Sequence, residues 1–309
     1  MKTLIIGSRR STLAQIQSQL VCQGLIEAWP DLTVQITLID TRGDLNRRDP
    51  LPQIGGKGLF TLELEEALRQ KQIDLAVHSL KDLPVEDSPG LGIIAIPQRA
   101  AVHDVLVSYQ VNRIEDLAGG AVVGTSSLRR AAQILAVRPD VQIKDIRGNV
   151  DTRLQKLEDA TQGYDAIVLA QAGLNRLGHT QLAYAHPIPF STMLPAPGQG
   201  ALGIQGRAND RETNHFLEAL NHLPTRLAVT AERAFLAGLG GGCSLPVGAL
   251  AAVSDGQLQL QGVIASATGQ NVIRVEVSGP VESAERLSQQ LVEKALKLGA
   301  DRLLKSQSK

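Results

Sequence analysis

Two stretches of this chain share one design. IIGSRRSTLAQI (5–16) and VVGTSSLRRAAQI (122–134) each run from an apolar strand through Gly into Ser, Thr and Arg, then into a helical pattern. The N–H groups at a helix start, with the helix dipole, attract anions. Arginine adds a fork that matches carboxylate or phosphate. Arg9 and Ser11 stand at the first start; Thr125, Ser126, Ser127, Arg129 and Arg130 stand at the second. Capping of the helices by Ser and Thr explains the hydroxyls without excluding a ligand. Arg147 in IRGN follows a further strand, Arg153 lies in the helix after it, and Arg176 follows DAIVLA. Basic groups that recur at strand ends point to a ligand with several acidic groups, because open α/β sheets bind at that edge.

Three other segments carry reactive side chains. HSLKDLP (78–84) sets Lys81 and Asp82 just after a strand. Asp82 can stay ionised to stabilise a cation, or it can move a proton; it can also be a plain turn aspartate before Pro84. His78 reads as a structural residue at the end of a buried strand. GGKG (55–58) fails as a P-loop, since Gly58 stands where Ser or Thr is needed. GLGGGC (238–243) fails as a dinucleotide fingerprint, with Cys243 at the third glycine position. A thiol on a glycine loop near arginines is open to an electrophile, or it is idle. Cys22 lies mid-helix among apolar residues and reads as a packing thiol.

The elements that must position these groups are legible. TLIIG (3–7), VQITLID (34–40), a strand near 73–78 and LGIIAIP (91–97) alternate with helices after Ser11 and over 60–71. DVLVS (104–108), a strand at 121–124, VQIKDIRG (141–148) and DAIVLA (165–170) alternate with helices over 128–137 and 149–161. The alternation gives two similar α/β domains with mainly parallel sheets. Residues 41–58 form a long aperiodic loop, a kind that is usually functional or mobile. The C-terminal part has a helix over 225–237, strands at 258–265 and 271–279, and a helix at 282–298, a small α+β domain with an antiparallel sheet.

Composition narrows the function. Lys plus Arg and Asp plus Glu both total 31, for zero formal charge, so the chain is no general nucleic-acid or acidic-membrane binder. Aromatics at 3% are too few for a base-stacking platform. Two cysteines make neither a disulfide framework nor a metal site. The apolar run of MKTLIIGSRRST ends too early for a signal peptide, and no apolar run is long enough to span a membrane, so a cytoplasmic location is expected. A non-enzymatic anion binder with the same fold stays open on these grounds.

The ordered set SRRSTLA (8–14), GGKGLF (55–60), HSLKDLP (78–84), VGTSSLRR (123–130), RGNVDTRL (147–154), LPAPGQGALGI (194–204) and ERAFLAGLGGGCSLPVGA (232–249) resembles the porphobilinogen deaminase (hydroxymethylbilane synthase) family. The resemblance implies two α/β domains like type II periplasmic binding proteins, and a third, small α+β domain. Their expected bounds are 1–98 with 198–218 (catalytic cleft, mobile loop 41–58), 99–197, and 219–309. It implies stepwise condensation of four porphobilinogen molecules with loss of ammonia, then hydrolysis to release hydroxymethylbilane. Growth starts on one dipyrromethane cofactor per chain, held by Cys243 through a thioether. Asp82, Arg9, Arg147 and Arg153 are implied as catalytic. Ser79, Lys81, Asp82, Thr125, Ser126, Ser127, Arg129, Arg130, Arg147 and Gly148 would hold the cofactor. Arg9, Ser11, Gln17, Arg147, Arg153 and Arg176 would hold substrate. Lys57 and Phe60 would belong to the lid and Gln199 to a hinge. A monomer without metal, nucleic acid or membrane partner is expected. The pyrroles carry acetate and propionate groups, which fits the excess of 21 Arg over 10 Lys.

Overall fold

The computed structural model describes residues 2–41, 61–86, 88–241 and 245–305. The expected lid residues Lys57 and Phe60, nearly all of the 41–58 loop, and Cys243 lie outside these. The chain divides into two compact units, Met1–Ala100 with Gly200–Arg226, and Ala101–Gln199 with Leu227–Lys309.

The first unit is built on a five-stranded sheet. Its strands are β1 (Thr3–Arg9), β2 (Thr33–Ile39), β3 (Leu75–Ser79), β4 (Leu91–Ala95) and β10 (Leu202–Arg207), in the order β2-β1-β3-β10-β4. β1 runs parallel to β2 and β3, whereas β10 is antiparallel to both its neighbours. Helices α1 (Thr12–Ala28), α2 (Leu62–Arg69) and α6 (Arg211–Glu218) accompany the sheet. Leu4, Ile6, Leu75, Val77 and Ile204 pack with Val21 and Leu25 of α1, while Ala76 joins Leu64 and Leu68 of α2 in a separate cluster. Burial on both faces is why β1 and β3 read as continuous apolar runs rather than as alternation.

The second unit repeats this plan. β5 (Asp104–Val107), β6 (Val122–Gly124), β7 (Gln142–Lys144), β8 (Ala166–Ala170) and β9 (Ala185–Pro187) take the order β7-β6-β8-β5-β9. β6 is parallel to β7 and β8, and β5 is antiparallel to β8 and β9. β10 and β5 are therefore equivalent: each sheet has one reversed strand, in the fourth place, and the mainly parallel reading holds for the other four. The repeated order is that of the type II binding-protein-like α/β fold. Helices α3 (Leu128–Val137), α4 (Val150–Glu158) and α5 (Gln171–Arg176) follow β6, β7 and β8. The helix expected over 149–161 stops at Glu158; a 3-10 turn, Ala160–Gln162, caps on Asp159 and ends at Gly163 with φ 63°.

The C-terminal sheet has three antiparallel strands where the sequence suggested two: β11 (Val247–Ser254), β12 (Gln257–Ala265) and β13 (Val272–Pro280). VGALAAV offers little alternation, so β11 is plain only once its partner is known. Asp255 and Gly256, with φ of 51° and 71°, make the β11–β12 turn. Phe235 of α7 (Leu223–Gly238) and Leu291 and Ala295 of α8 (Ala284–Lys297) pack on Leu258, Leu260 and Ile264. Short α9 (Ala300–Lys305) follows. Gly262 leaves room for the Phe235 ring, whose Cε1 would lie 2.6 Å from an added Cβ. Among the described residues, no helix is long and apolar enough to cross a membrane and no His, Cys, Asp and Glu cluster could hold a metal.

One polar chain runs through the first unit's interior. His78 Nε2 bonds Gln205 Oε1 at 3.1 Å, and Gln205 Nε2 donates to Glu65 Oε1 at 3.2 Å. Ser88 Oγ donates to the other Glu65 oxygen at 2.6 Å. An ionised Glu65 only accepts, so Gln205 must offer its carbonyl to His78, which fixes the Nε2–H tautomer. Burial pushes His78 down to about 4 from 6.5, aided by the Arg9 charge and opposed by Gln205 and Glu65. Between these two values the unfolded chain binds a proton that the folded chain refuses, so stability falls as pH drops from 6.5 towards 4. This one group costs about 3 kcal/mol over that window. Urea unfolding across it should show a shallower decline in His78→Gln than in the parent. Equal slopes in both proteins would mean that His78 titrates normally.

Candidate active site

Parallel pairing brings the functional ends of β1 and β3 to one edge of the first sheet, with Ile6 beside Leu75 and Gly7 beside Ala76. Arg9 ends β1, and Ser11 caps α1 by accepting from the Ala14 N–H at 3.4 Å. Gln17, buried in α1, donates to Ser79 Oγ at the end of β3 at 2.8 Å. A 3-10 turn, Leu80–Asp82, follows at once, anchored by the Leu80 N–H to the Ala201 carbonyl. It presents Lys81 half-buried and Asp82 exposed. The structure thus gathers Arg9, Ser11, Gln17, Ser79, Lys81 and Asp82 on one edge of the first unit. This edge offers a carboxylate open to solvent beside a cation.

The second unit has a different edge built the same way. β6 ends at Gly124, and Thr125 is buried with its Oγ1 accepting from the Ser127 N–H at 3.2 Å. Ser126 Oγ donates to the Ile146 carbonyl at 2.7 Å, which ties this strand end to the one before Arg147. Ser127 caps α3 through the Arg130 N–H. Arg147 Nε lies 3.3 Å from Asp145 Oδ2. Gly148, at φ 116°, lies where an added Cβ would meet Thr152, so the sharp turn into Asn149, the cap of α4, needs glycine. Arg153 Nε donates to the Gly148 carbonyl at 2.9 Å.

The electrostatics of this edge are one-sided. Arg153 is held down at about 10, first by loss of water and then by the Arg130 charge, with Asp145 opposing and Arg147 adding to the effect. Arg176, at the end of α5, is also lowered by burial. Half-buried guanidinium groups held among like charges, as Arg153 is, are favoured by an incoming carboxylate. His179 Nε2, 2.9 Å from Asp151 Oδ1, ties the turn after Arg176 to the helix that carries Arg153.

Arg129 and Arg130 differ from the sequence expectation of groups devoted to a ligand's acids. Both are buried and both bond Asp104: Arg129 Nη1 at 2.6 Å, Arg130 Nε at 2.9 Å and Nη2 at 2.8 Å. Gln199 is fully buried, with its amide on the Val102 carbonyl at 2.8 Å and Asp104 Oδ1 at 3.1 Å. Sequence reasoning missed Asp104, whose one signal is a charge opening the apolar strand DVLVS. It also missed Glu232, fully buried, which accepts from the Gly198 N–H at 2.7 Å and the Ala251 N–H at 2.8 Å. That carboxylate fastens β11, the strand after the glycine loop, to the 194–199 segment, where the Ala249 N–H also bonds the Pro195 carbonyl.

Comparison with known proteins gives matches over nearly the whole chain. Residues 4–215 match the family model "Porphobilinogen deaminase, dipyromethane cofactor binding domain", and residues 226–297 match "Porphobilinogen deaminase, C-terminal domain". The porphobilinogen deaminase of Desulforudis audaxviator is 47% identical over 98% of this chain and 97% of its own. That of Moorella thermoacetica is 48% identical over 97% and 95%, and that of Thermus thermophilus 46% over 98% and 99%. Among solved structures, the methionine binding protein MetQ aligns over 71% of this chain and 89% of its own at 12% identity, with a TM-score of 0.44. With both family models and near-full-length relatives in agreement, the chain belongs to the porphobilinogen deaminase family.

Proposed function

We propose that this chain condenses four porphobilinogen molecules head to tail, releasing ammonia, on a dipyrromethane primer joined to Cys243, and then frees hydroxymethylbilane by hydrolysis. The observation that carries the reading is the half-buried cationic edge of the second unit, where Arg153 is crowded by Arg130 and Arg147. Every pyrrole of substrate and primer bears carboxylates, and this edge has the chemistry to receive them. The residues therefore fit the cofactor. When bound, dipyrromethane supplies the pyrrole carbon to which the first substrate is joined.

From the first unit, Ser79, Lys81 and Asp82 would hold the primer; from the second, Thr125, Ser126, Ser127, Arg129, Arg130, Arg147 and Gly148 would do so. Arg9, Ser11, Gln17, Arg147, Arg153 and Arg176 would bind substrate carboxylates. Arg129 and Arg130 would hold the primer as members of the Asp104 cluster rather than as separate cations. In each round the substrate's C–N bond breaks, ammonia leaves, and a C–C bond forms at a pyrrole α-carbon that then gives up its proton. Asp82 stabilises the positive pyrrole nitrogen left by ammonia and helps to move that proton. Its exposure, in the turn directly after β3, supports this role. Lys57 and Phe60 are assigned to the lid and Gln199 to the hinge.

The working form is taken to be a cytoplasmic monomer acting on a small molecule. The division into 1–98 with 198–218, 99–197 and 219–309 is retained; the separate core of the three-stranded sheet supports its last part.

The intact mass of the purified chain should exceed the sequence mass by one two-pyrrole unit, and Cys243→Ser should lose that excess. A fully active chain of unmodified mass would sink the cofactor assignment. Asp82→Ala should melt like the parent but turn over at least about a hundredfold more slowly, the scale of a lost acid–base group. Parental rates would remove Asp82 from the chemistry.

A further inference from the structure

Asp104 opens β5, and its side chain is fully buried. Oδ2 accepts from Arg129 at 2.6 Å; Oδ1 accepts from Arg130 at 2.9 and 2.8 Å and from Gln199 at 3.1 Å. The two guanidinium groups also reach backbone carbonyls, Arg129 to Leu194 at 2.7 Å and Arg130 to Val168 at 2.9 Å. Gln133, one turn along α3, donates to the Leu194 carbonyl and accepts from the Leu194 N–H. One carboxylate thus meets α3, the end of the 194–199 segment and, through Arg130, strand β8. Two cations share a single anion, so the cluster keeps a net positive charge, and Arg153 senses it through Arg130.

A carboxylate whose only task is to neutralise charge needs no such set of directed bonds. Here both oxygens are used, and one guanidinium is gripped by two of its nitrogens, which fixes orientation as well as distance. The two arginines are adjacent residues in the first turn of α3, directly after the hydroxyl cluster Thr125–Ser127. Rotation or a shift of that turn would move the Ser127 cap and the Arg130 charge together.

We infer that Asp104 is a positioning residue for porphobilinogen binding: it holds Arg129, Arg130 and Gln199 in one arrangement and so sets the start of α3 against the Arg147–Arg153 edge. The inference rests on the reading of that edge as the carboxylate site. It predicts sensitivity to the length of the side chain at position 104 and not only to its charge, because displacements near 1 Å in a binding array cost about a hundredfold in rate or affinity.

The test compares Asp104→Asn, which keeps shape, with Asp104→Glu, which keeps charge, alongside Arg153→Ala, all in the full chain. Folding is followed by circular dichroism and thermal melting, and steady-state kinetics use porphobilinogen. Asp104→Glu should melt closer to the parent than Asp104→Asn does, yet keep a KM at least about tenfold raised with kcat within about threefold, the signature of lost uniform binding. Parental KM in either folded variant, or recovery of KM together with melting in Asp104→Glu, would reduce Asp104 to a charge balance and overturn the inference. Failure of both variants to fold would also overturn it, in favour of a purely structural role. Arg153→Ala separates the two readings. If it leaves KM unchanged, the carboxylate site itself is misassigned, whatever position 104 does.

Discussion

Like charges resist being gathered, and the second unit gathers them in a partly dry place. Arg130 and Arg147 both oppose the charge on Arg153, which has also lost much of its water. Such an arrangement survives because rigid backbone imposes it. Three parallel strand ends deliver the groups, hydroxyl caps fix the helix starts, and Asp104 and Asp145 each offset part of the charge. The sheet order, the turn that only Gly148 allows and the Ser126 bond to Ile146 all help to bring arginines to one edge and keep them there. The proposed carboxylate ligands would complete a balance that these arginines leave open.

The two sheets show how one topology is set on different buried polar layers. Both end their central strands in a small polar cluster before a helix. In the first unit the strand end rests on His78, kept neutral by burial and the nearby Arg9 charge against the opposing pull of Gln205 and Glu65. Beneath it lies the buried Glu65, and at the edge Lys81 and Asp82 stand side by side in the turn after Ser79. In the second unit the corresponding interior holds two buried guanidinium groups, and the local sign is positive. Fold similarity alone therefore carries no chemistry; the buried layer beneath each edge decides it.

Much of this was legible in the sequence because it is local. Ser11 and Ser127 cap the helices whose starts they mark, and the strand–Gly–hydroxyl design repeats in space as it does in the chain. The order of motifs then identified the family. What stayed hidden depends on distant partners. Asp104 lies 25 residues from Arg129, and Gln205 lies 140 from Glu65; no periodicity reports such pairs. β11 was missed because an apolar run of small residues suits a strand or a loop until β12 is placed beside it. The helix expected to reach 161 ended sooner because the Asp159 side chain competes for backbone N–H groups and starts a turn of its own.

The reversed strands also bear on the order in which the chain can fold. In the first sheet, among the described residues, β4 pairs only with β10, and β10 is made from residues 202–207. A chain emerging from the ribosome holds β2, β1 and β3 early, but β4 waits for a partner that arrives roughly a hundred residues later, a long loop to close. The second sheet has no such gap, since all five of its strands lie between Asp104 and Pro187. Although it comes second in the sequence, it can close first. The N-terminal unit is then finished by the chain that returns from it, an inversion of the usual N-to-C order of domain folding.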